Sequence, residues 1–395
     1  MHLIDQQLNL MVRGRFEEGW RISEQLEAMK HELPGDAPLR HAFNRGWFLL
    51  HHGKLQEGMQ HLEAGRHIGV YGSGRLDTSK PIWNGRDSLE GKIVIINLEA
   101  GVGDQIISAR FATEVMARGG ETIFCTHPSL FGLLKRIPGC RDCITLNELR
   151  ATYHDYWIPG FSCSWLFGHE FSNLPNEPYI RGNDNSIDLW KDILKVENRK
   201  PKIALRWSGN PKFEHQQFRK FPPQKLIGLS DIDSLQFYSV QRDTDLVELP
   251  DHVRDLQHFL ISWEDTAACL ANMDLIITSC TSIAHLAGAM GLPTWVIVPI
   301  LPYHVWAYGG DHSPWYQETT RVFRQKKFGE WDEVFDEVRQ ALKDRFRDQA
   351  ETAMKPRGSD LYVPPVVPVP GLIDAEPPQP EPDPVTDHPN DVANT

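Results

Sequence analysis

The stretch that most constrains the fold is Asp274-Leu-Ile-Ile-Thr-Ser-Cys-Thr-Ser-Ile-Ala-His-Leu-Ala-Gly-Ala-Met-Gly291, followed by Leu-Pro-Thr-Trp-Val-Ile-Val-Pro299. Leu275 to Ile277 is an apolar run with polar neighbours, which reads as a buried strand. A small polar turn covers Thr278 to Ser282. An Ala-rich helix follows until Gly291 and Pro293 stop it ahead of a second apolar strand. A strand, turn, helix and strand in succession belong to an α/β protein. The start of such a helix offers unpaired N–H groups and the positive end of a dipole, so the turn is where a phosphate would be held.

The same alternation runs back through the chain. Lys92-Ile-Val-Ile-Ile-Asn-Leu98 reads as a strand, Glu99-Ala-Gly-Val-Gly-Asp104 as a glycine-bearing turn, and Gln105 to Arg118 as a helix. Thr122 to Cys125 is a further strand and Pro128 to Lys135 a further helix. A second series begins at Lys202-Ile-Ala-Leu-Arg206 and continues through Phe237-Tyr-Ser-Val-Gln241. Strands alternating with helices predict parallel sheets with both faces covered. Trp331 to Phe346 carries apolar residues at helical spacing and closes the fold.

The first 70 residues differ. Arg13-Gly-Arg-Phe-Glu-Glu-Gly-Trp20 aligns with His52-Gly-Lys-Leu-Gln-Glu-Gly-Met59, an internal repeat at an offset of 39 residues. Each copy reads as helix, turn at Gly14 or Gly53, then helix. That is slightly longer than a tetratricopeptide unit, and two copies are too few to stand alone, so the layer should pack on the next domain. The expected organisation is 1–75 tetratricopeptide-like helices, 79–190 and 199–322 two Rossmann-like domains, 323–350 a closing helix, and 353–395 a disordered tail. Eleven of the 28 prolines fall after Lys355, with seven acids there against one Arg. Such a segment buries too little apolar surface to offset its ordering entropy.

The tail accounts for half of the net charge of −12, and no basic block suggests a nucleic-acid partner. No apolar run approaches the length that spans a bilayer, and the N-terminus lacks the pattern of a signal peptide. Six cysteines are scattered, apart from Cys140-Arg-Asp-Cys143. One CxxC without a second pair is a weak zinc signal, and thiols in a reducing cytoplasm is the better reading.

Two Rossmann-like domains in series, each with a Gly- or Ser-rich turn facing a cleft, make the GT-B plan. The residues also resemble a family, the bacterial tetratricopeptide-containing glycosyltransferases related to family 9, the heptosyltransferase group. The matching segments are Pro81-Ile-Trp83-Asn-Gly85 through Leu89-Glu-Gly91-Lys92, Glu99-Ala-Gly101-Val-Gly103-Asp104 with Arg110, Trp207-Ser-Gly209-Asn210-Pro211 with Arg219, and Asp265-Thr266-Ala267-Ala268. Ala284-His285-Leu286-Ala287-Gly288-Ala289, Ser313-Pro314-Trp315-Tyr316, Phe323-Arg324-Gln325 and Trp331 complete an ordered set over residues 10 to 345.

The resemblance implies a glycosyltransferase that moves a sugar from a nucleotide-diphosphate donor to an acceptor hydroxyl on a glycan, lipid or protein. Such a reaction needs a base for the acceptor and stabilisation of the departing diphosphate. Asp104 follows Gly101 and Gly103 at the carboxyl end of a strand, facing the expected cleft. The matching aspartate of the heptosyltransferases is the general base; Asp104 is equally suited to capping the following helix. Thr281, Ser282 and the adjacent N–H groups would hold the diphosphate, with His285 one turn further in, although a His in an Ala-rich helix is also an ordinary core residue. Ser208, Asn210 and Arg219 are implied to approach the same phosphates, Arg because its fork grips two oxygens. Gln241 belongs to the same donor set. No Asp-x-Asp pair lies at a strand end of the second domain, so neither metal nor cofactor is expected. The family carries Asp where this chain has Cys280, and a thiol accepts donor hydroxyls poorly. A catalytically degenerate nucleotide-sugar scaffold, with a protein partner on the helical layer, is the alternative; a GT-B sugar-nucleotide epimerase is a third.

Overall fold

A computed structural model describes residues 2–195, 200–209, 216–242, 244–316 and 318–347. Asn210, Pro211 and the expected tail at 353–395 lie outside them. The first of two sheets comprises β1 (Ile93–Asn97), β2 (Glu121–Cys125), β3 (Cys140–Ile144) and β4 (Tyr156–Pro159), in the order β3-β2-β1-β4. The second comprises β5 (Lys202–Arg206), β6 (Gln236–Ser239), β7 (Val253–Asp255), β8 (Leu275–Ser279), β9 (Thr294–Val298) and β10 (Thr320–Arg324), in the order β10-β9-β8-β5-β6-β7. Among the described residues every pairing between these strands is parallel. Counted from β5, the second sheet has the doubly wound strand order of a Rossmann domain. Both sheets reverse direction beside a strand that opens its domain, between β1 and β4 and between β5 and β8.

The central strands are apolar because both faces are covered. All five residues of β8 and of β9 are buried, as parallel strands require. The helix expected over Gln105–Arg118 is two helices, Val102–Ala109 and Ala112–Ala117. The break follows from Arg110. Its Nε donates to the Ile107 carbonyl at 3.1 Å, while the Phe111 N–H turns to Ser108 instead. Strands β3, β4, β7 and β10 appear in addition to those read from the sequence. The Cys140–Cys143 pair lies on edge strand β3, with Cys143 buried and Cys140 half-buried.

The repeat is real in three dimensions. Helices α1 (His2–Val12) and α2 (Phe16–Ala28) form one antiparallel pair, α3 (Ala37–His51) and α4 (Leu55–Leu62) the next. The two turns are built alike. Gly14 N–H donates to Met11 O at 3.0 Å and Arg15 N–H to Leu10 O at 2.9 Å; Gly53 N–H donates to Leu50 O at 3.1 Å and Lys54 N–H to Leu49 O at 2.9 Å. Both glycines have positive φ, 73° and 78°, the left-handed helix end that favours glycine.

The helical layer packs on both sheets' domains. Leu55, Met59 and Leu62 share one buried apolar cluster with β1, with the Val102–Ala109 and Ser282–Ala289 helices, and with Trp306 and Trp315. A polar clasp adds to it. The buried Glu99 carboxylate receives both terminal nitrogens of Arg66, the Ser73 N–H at 2.7 Å and hydroxyl at 2.9 Å, and the Phe161 N–H at 3.1 Å. The Asp332–Arg345 helix buries Val334, Phe335, Val338 and Leu342 against the second sheet's other face.

Candidate functional site

The carboxyl ends of β1, β5 and β8 converge. Each carries a turn because its strand lies at a switch point, where neighbouring connections diverge and leave a crevice. From β1 the chain passes through Gly101 into the Val102–Ala109 helix; from β8 it passes through Cys280 and Thr281 into the Ser282–Ala289 helix. These two helices pack directly on one another. Gly103 makes that possible: a Cβ there would lie 2.9 Å from His285 Cδ2 and 3.4 Å from Ser282 Cα.

Asp104 therefore faces the second domain. Its Oδ2 accepts the Gly101 N–H at 3.0 Å, so the helix-capping reading is realised by a reach back from the first turn. Its Oδ1 accepts the Tyr303 hydroxyl at 2.7 Å. The side chain is half-buried. Desolvation pushes its pKa up from 3.8 to about 6, against the opposing pull of Tyr303, the Gly101 N–H and the Arg219 charge. Helix capping and a bond to the second domain thus coexist in one carboxylate.

On the other side, Thr281 is the N-cap residue, in extended backbone, and its hydroxyl lies 3.3 Å from that of Thr278. The Ala284 N–H donates to the Thr281 carbonyl at 2.9 Å, while those of Ser282 and Ile283 precede the first intrahelical bond. Arg219 lies at this turn, donating to the Cys280 carbonyl at 2.9 Å. A Cβ on Gly209 would come within 3.0 Å of Thr281 and 3.2 Å of the Arg219 guanidinium, so the β5 and β8 turns touch here. The Cys280 thiol is buried and desolvation pushes its pKa up, which keeps it neutral.

The remaining expected residues have other partners. Ser208 is buried and its hydroxyl donates to Asp245. Gln241 is buried too, with its oxygen accepting the Trp207 and Ser208 N–H groups and its nitrogen donating to the Thr244 and Ser208 carbonyls. It shapes the β5 turn. His285 sits under the helix start, bonded through Nδ1 to the Tyr316 hydroxyl at 2.9 Å and stacked on Trp306. Desolvation holds its pKa well below 6.5, so the ring is neutral.

Two residues with no assigned role in the sequence reading matter here. Arg110 is fully buried, donates to the Pro175 and Trp315 carbonyls, and lies in a box of Tyr179, Trp315 and Tyr316, 5.0–5.1 Å from each ring. It pins the two domains. Tyr303, on the segment after β9, reaches Asp104, and no pattern in its own stretch of sequence announces that distant partner. Among the described residues no group of three or more His, Cys, Asp or Glu side chains converges, and no helix is long and apolar enough to cross a membrane.

No family model matches the chain. It is 24% identical over 343 residues to Protein FlbA of Caulobacter vibrioides, covering 76% of this chain and 54% of that protein. The chain thus spans about half the length of that curated relative. Among solved structures it is similar to the ADP-heptose LPS heptosyltransferase II of E. coli, with TM-score 0.45 and 13% identity over 66% of this chain and 99% of that one. It is also similar to a family 9 glycosyl transferase of Veillonella parvula, with TM-score 0.48 and 9% identity over 68% and 99%.

Proposed function

We propose that this chain is a glycosyltransferase that moves a sugar from a nucleotide-diphosphate donor to an acceptor hydroxyl. The observation that carries the reading is the apposition, across two switch points, of a carboxylate at the end of β1 and a helix start with Arg219 beside it at the end of β8. Asp104 would take the acceptor proton, and a carboxyl group at about 6 is suited to a base near neutral pH. The N–H groups after Thr281, with Ser282 and Arg219, would hold the departing diphosphate, so no metal is required by the reading. A base on one domain and the leaving group on the other favour single displacement with inversion. The tetratricopeptide-like character of the helical layer, and a cytoplasmic location consistent with six free thiols, belong to the same proposal. The ordered motif set in the sequence supports it.

A thermal-shift screen with ADP-, UDP-, GDP- and CDP-sugars tests it, using Arg219→Ala as control. A shift with one nucleotide, lost in the control, is expected. Asp104→Asn should then abolish transfer while sparing donor binding, and unchanged turnover would remove Asp104 from the mechanism. One observation favours a second reading, a nucleotide-sugar-binding scaffold without turnover: Cys280 presents a neutral, buried thiol where the resemblance implies an aspartate.

A further inference from the structure

The segment after β9, residues 300–308, is held by the helical layer at three places. A Cβ on Gly14, in the first repeat turn, would lie 2.4 Å from Ile300 Cδ1, and one on Gly53, in the second, 2.8 Å from Tyr308 Cε2. Between them Trp47 of α3 lies against the Tyr303 ring, with centroids 6.1 Å apart. The two repeat turns, alike in backbone, thus grip the two ends of one segment, and that segment delivers the Tyr303 hydroxyl to Asp104 at 2.7 Å.

We propose that the helical layer is a positioning element of the site, clamping residues 300–308 so that the Tyr303 hydroxyl orients the Asp104 carboxylate and favours its ionised form. The proposal rests on Asp104 being the base of the transfer, but the coupling it describes is measurable without transfer. Tyr303 is a positioning residue, since it acts through Asp104. Its donor is matched to a carboxylate that also takes the Gly101 N–H, which leaves the outward lone pairs for an acceptor hydroxyl. Among the described residues, the charged and titratable groups that act on Asp104 are few. Tyr303 and Arg219 come from the second domain, as does Tyr316; Tyr71 comes from the connection that follows the helices. Burial raises the pKa of Tyr71 and Tyr316 well above 10, so neither titrates near neutral pH. His285, packed on Gly103, and His304, pushed by burial down to about 3, both stay neutral. Among the described residues, the local charge change through this range belongs to Asp104.

The test follows the Asp104 carboxyl by 13C NMR in the full chain labelled at aspartate, its resonance assigned by loss in Asp104→Asn. Tyr303→Phe keeps the ring on Trp47 and removes only the donor. A hydrogen bond to a charged group contributes on the order of 1.5 kcal/mol or more, equivalent to a shift of about one pH unit, so the midpoint should rise by about that much. Trp47→Ala should raise it by a smaller amount, and Leu8→Ala, on the exposed face of α1, should not move it. An unmoved midpoint in Tyr303→Phe overturns the Tyr303 contact; a shift there with none in Trp47→Ala overturns the role of the helical layer. With a donor in hand, the acid limb of kcat/KM should move upward in step, costing about tenfold near pH 5, about fivefold at pH 6 and little at pH 8. A carboxyl shift with an unmoved limb would overturn positioning for catalysis. A carboxyl shift in a protein with no transfer activity would refute the transferase reading and leave the coupling standing.

Discussion

Asp104→Asn should stabilise the protein, and only above acidic pH. The folded carboxyl titrates at about 6 against an ordinary 3.8, with desolvation the leading cause. Between these values the folded state binds more protons than the unfolded state, so stability falls as pH rises through the window and then levels off. The interval is about two pH units, which at ~1.4 kcal/mol each sets a ceiling of about 3 kcal/mol. The side chain is only half-buried, and solvent screening reduces the expected penalty to about 1–2 kcal/mol. The amide can keep both contacts. Its oxygen accepts the Gly101 N–H and its nitrogen donates to the Tyr303 oxygen, the hydroxyl turning round. Urea unfolding of wild type and Asp104→Asn at pH 4, 5, 6 and 7.5 reads the effect. The two curves should nearly coincide at pH 4, and the variant should lead increasingly up to pH 7.5. A variant less stable than wild type at pH 7.5, or a difference that ignores pH, would refute a desolvated carboxylate at this position.

Gly103→Ala gains about 1 kcal/mol of helix propensity but drives a methyl into His285, whose ring is fixed by Tyr316 and Trp306. Overpacking of this kind costs about 1–3 kcal/mol, so urea unfolding should show a net loss; a gain would mean the helices cross less tightly. Glu99→Gln removes the charge facing Arg66 inside the clasp, and breaking a buried pair costs about 3–5 kcal/mol. The midpoint should fall accordingly, and limited proteolysis should begin to cut between residues 68 and 80; full protection would assign the docking to the apolar contacts alone. Arg110→Lys cannot reproduce the donors to Ile107, Pro175 and Trp315 within an aromatic box. A loss of about 2 kcal/mol or more is expected in the same assay, and a neutral result would deny Arg110 its pinning role.

The elements legible in the sequence are those whose residues carry their whole reason locally. β8 and β9 are continuous apolar runs because both their faces are covered, and the repeat turns announce themselves through Gly14 and Gly53, which the backbone needs at positive φ. Edge strands are different. In β7 only Val253 is buried, with Arg254 and Asp255 exposed, and in β3 Arg141 and Asp142 face solvent. A strand with one covered end and a charged remainder has no period to detect. The break at Arg110 is also set elsewhere, by carbonyls 65 and 205 residues away that draw the guanidinium inward.

The same division runs through the site. Gly101, Gly103, Asp104 and Thr281 are readable because turns after parallel strands need small, polar or capping residues. Tyr303 is not, since its partner lies 199 residues back and is brought to it by domain packing. Glu99 shows the limit most sharply, because it stands in the same short motif as Asp104 and does the opposite work. Ala100 between them adopts φ 58°, a left-handed conformation that costs a non-glycine residue about 1 kcal/mol or more. That strained residue separates the two carboxylates. Glu99 is buried at Arg66, on the side of the helical layer, while Asp104 is presented to Tyr303 of the second domain. The helical layer then touches the site from both ends of one turn: directly at Glu99, and through Tyr303 at Asp104. A motif of six residues can encode that arrangement only together with the surfaces that receive its two acids, and those surfaces are built by chain far from the motif.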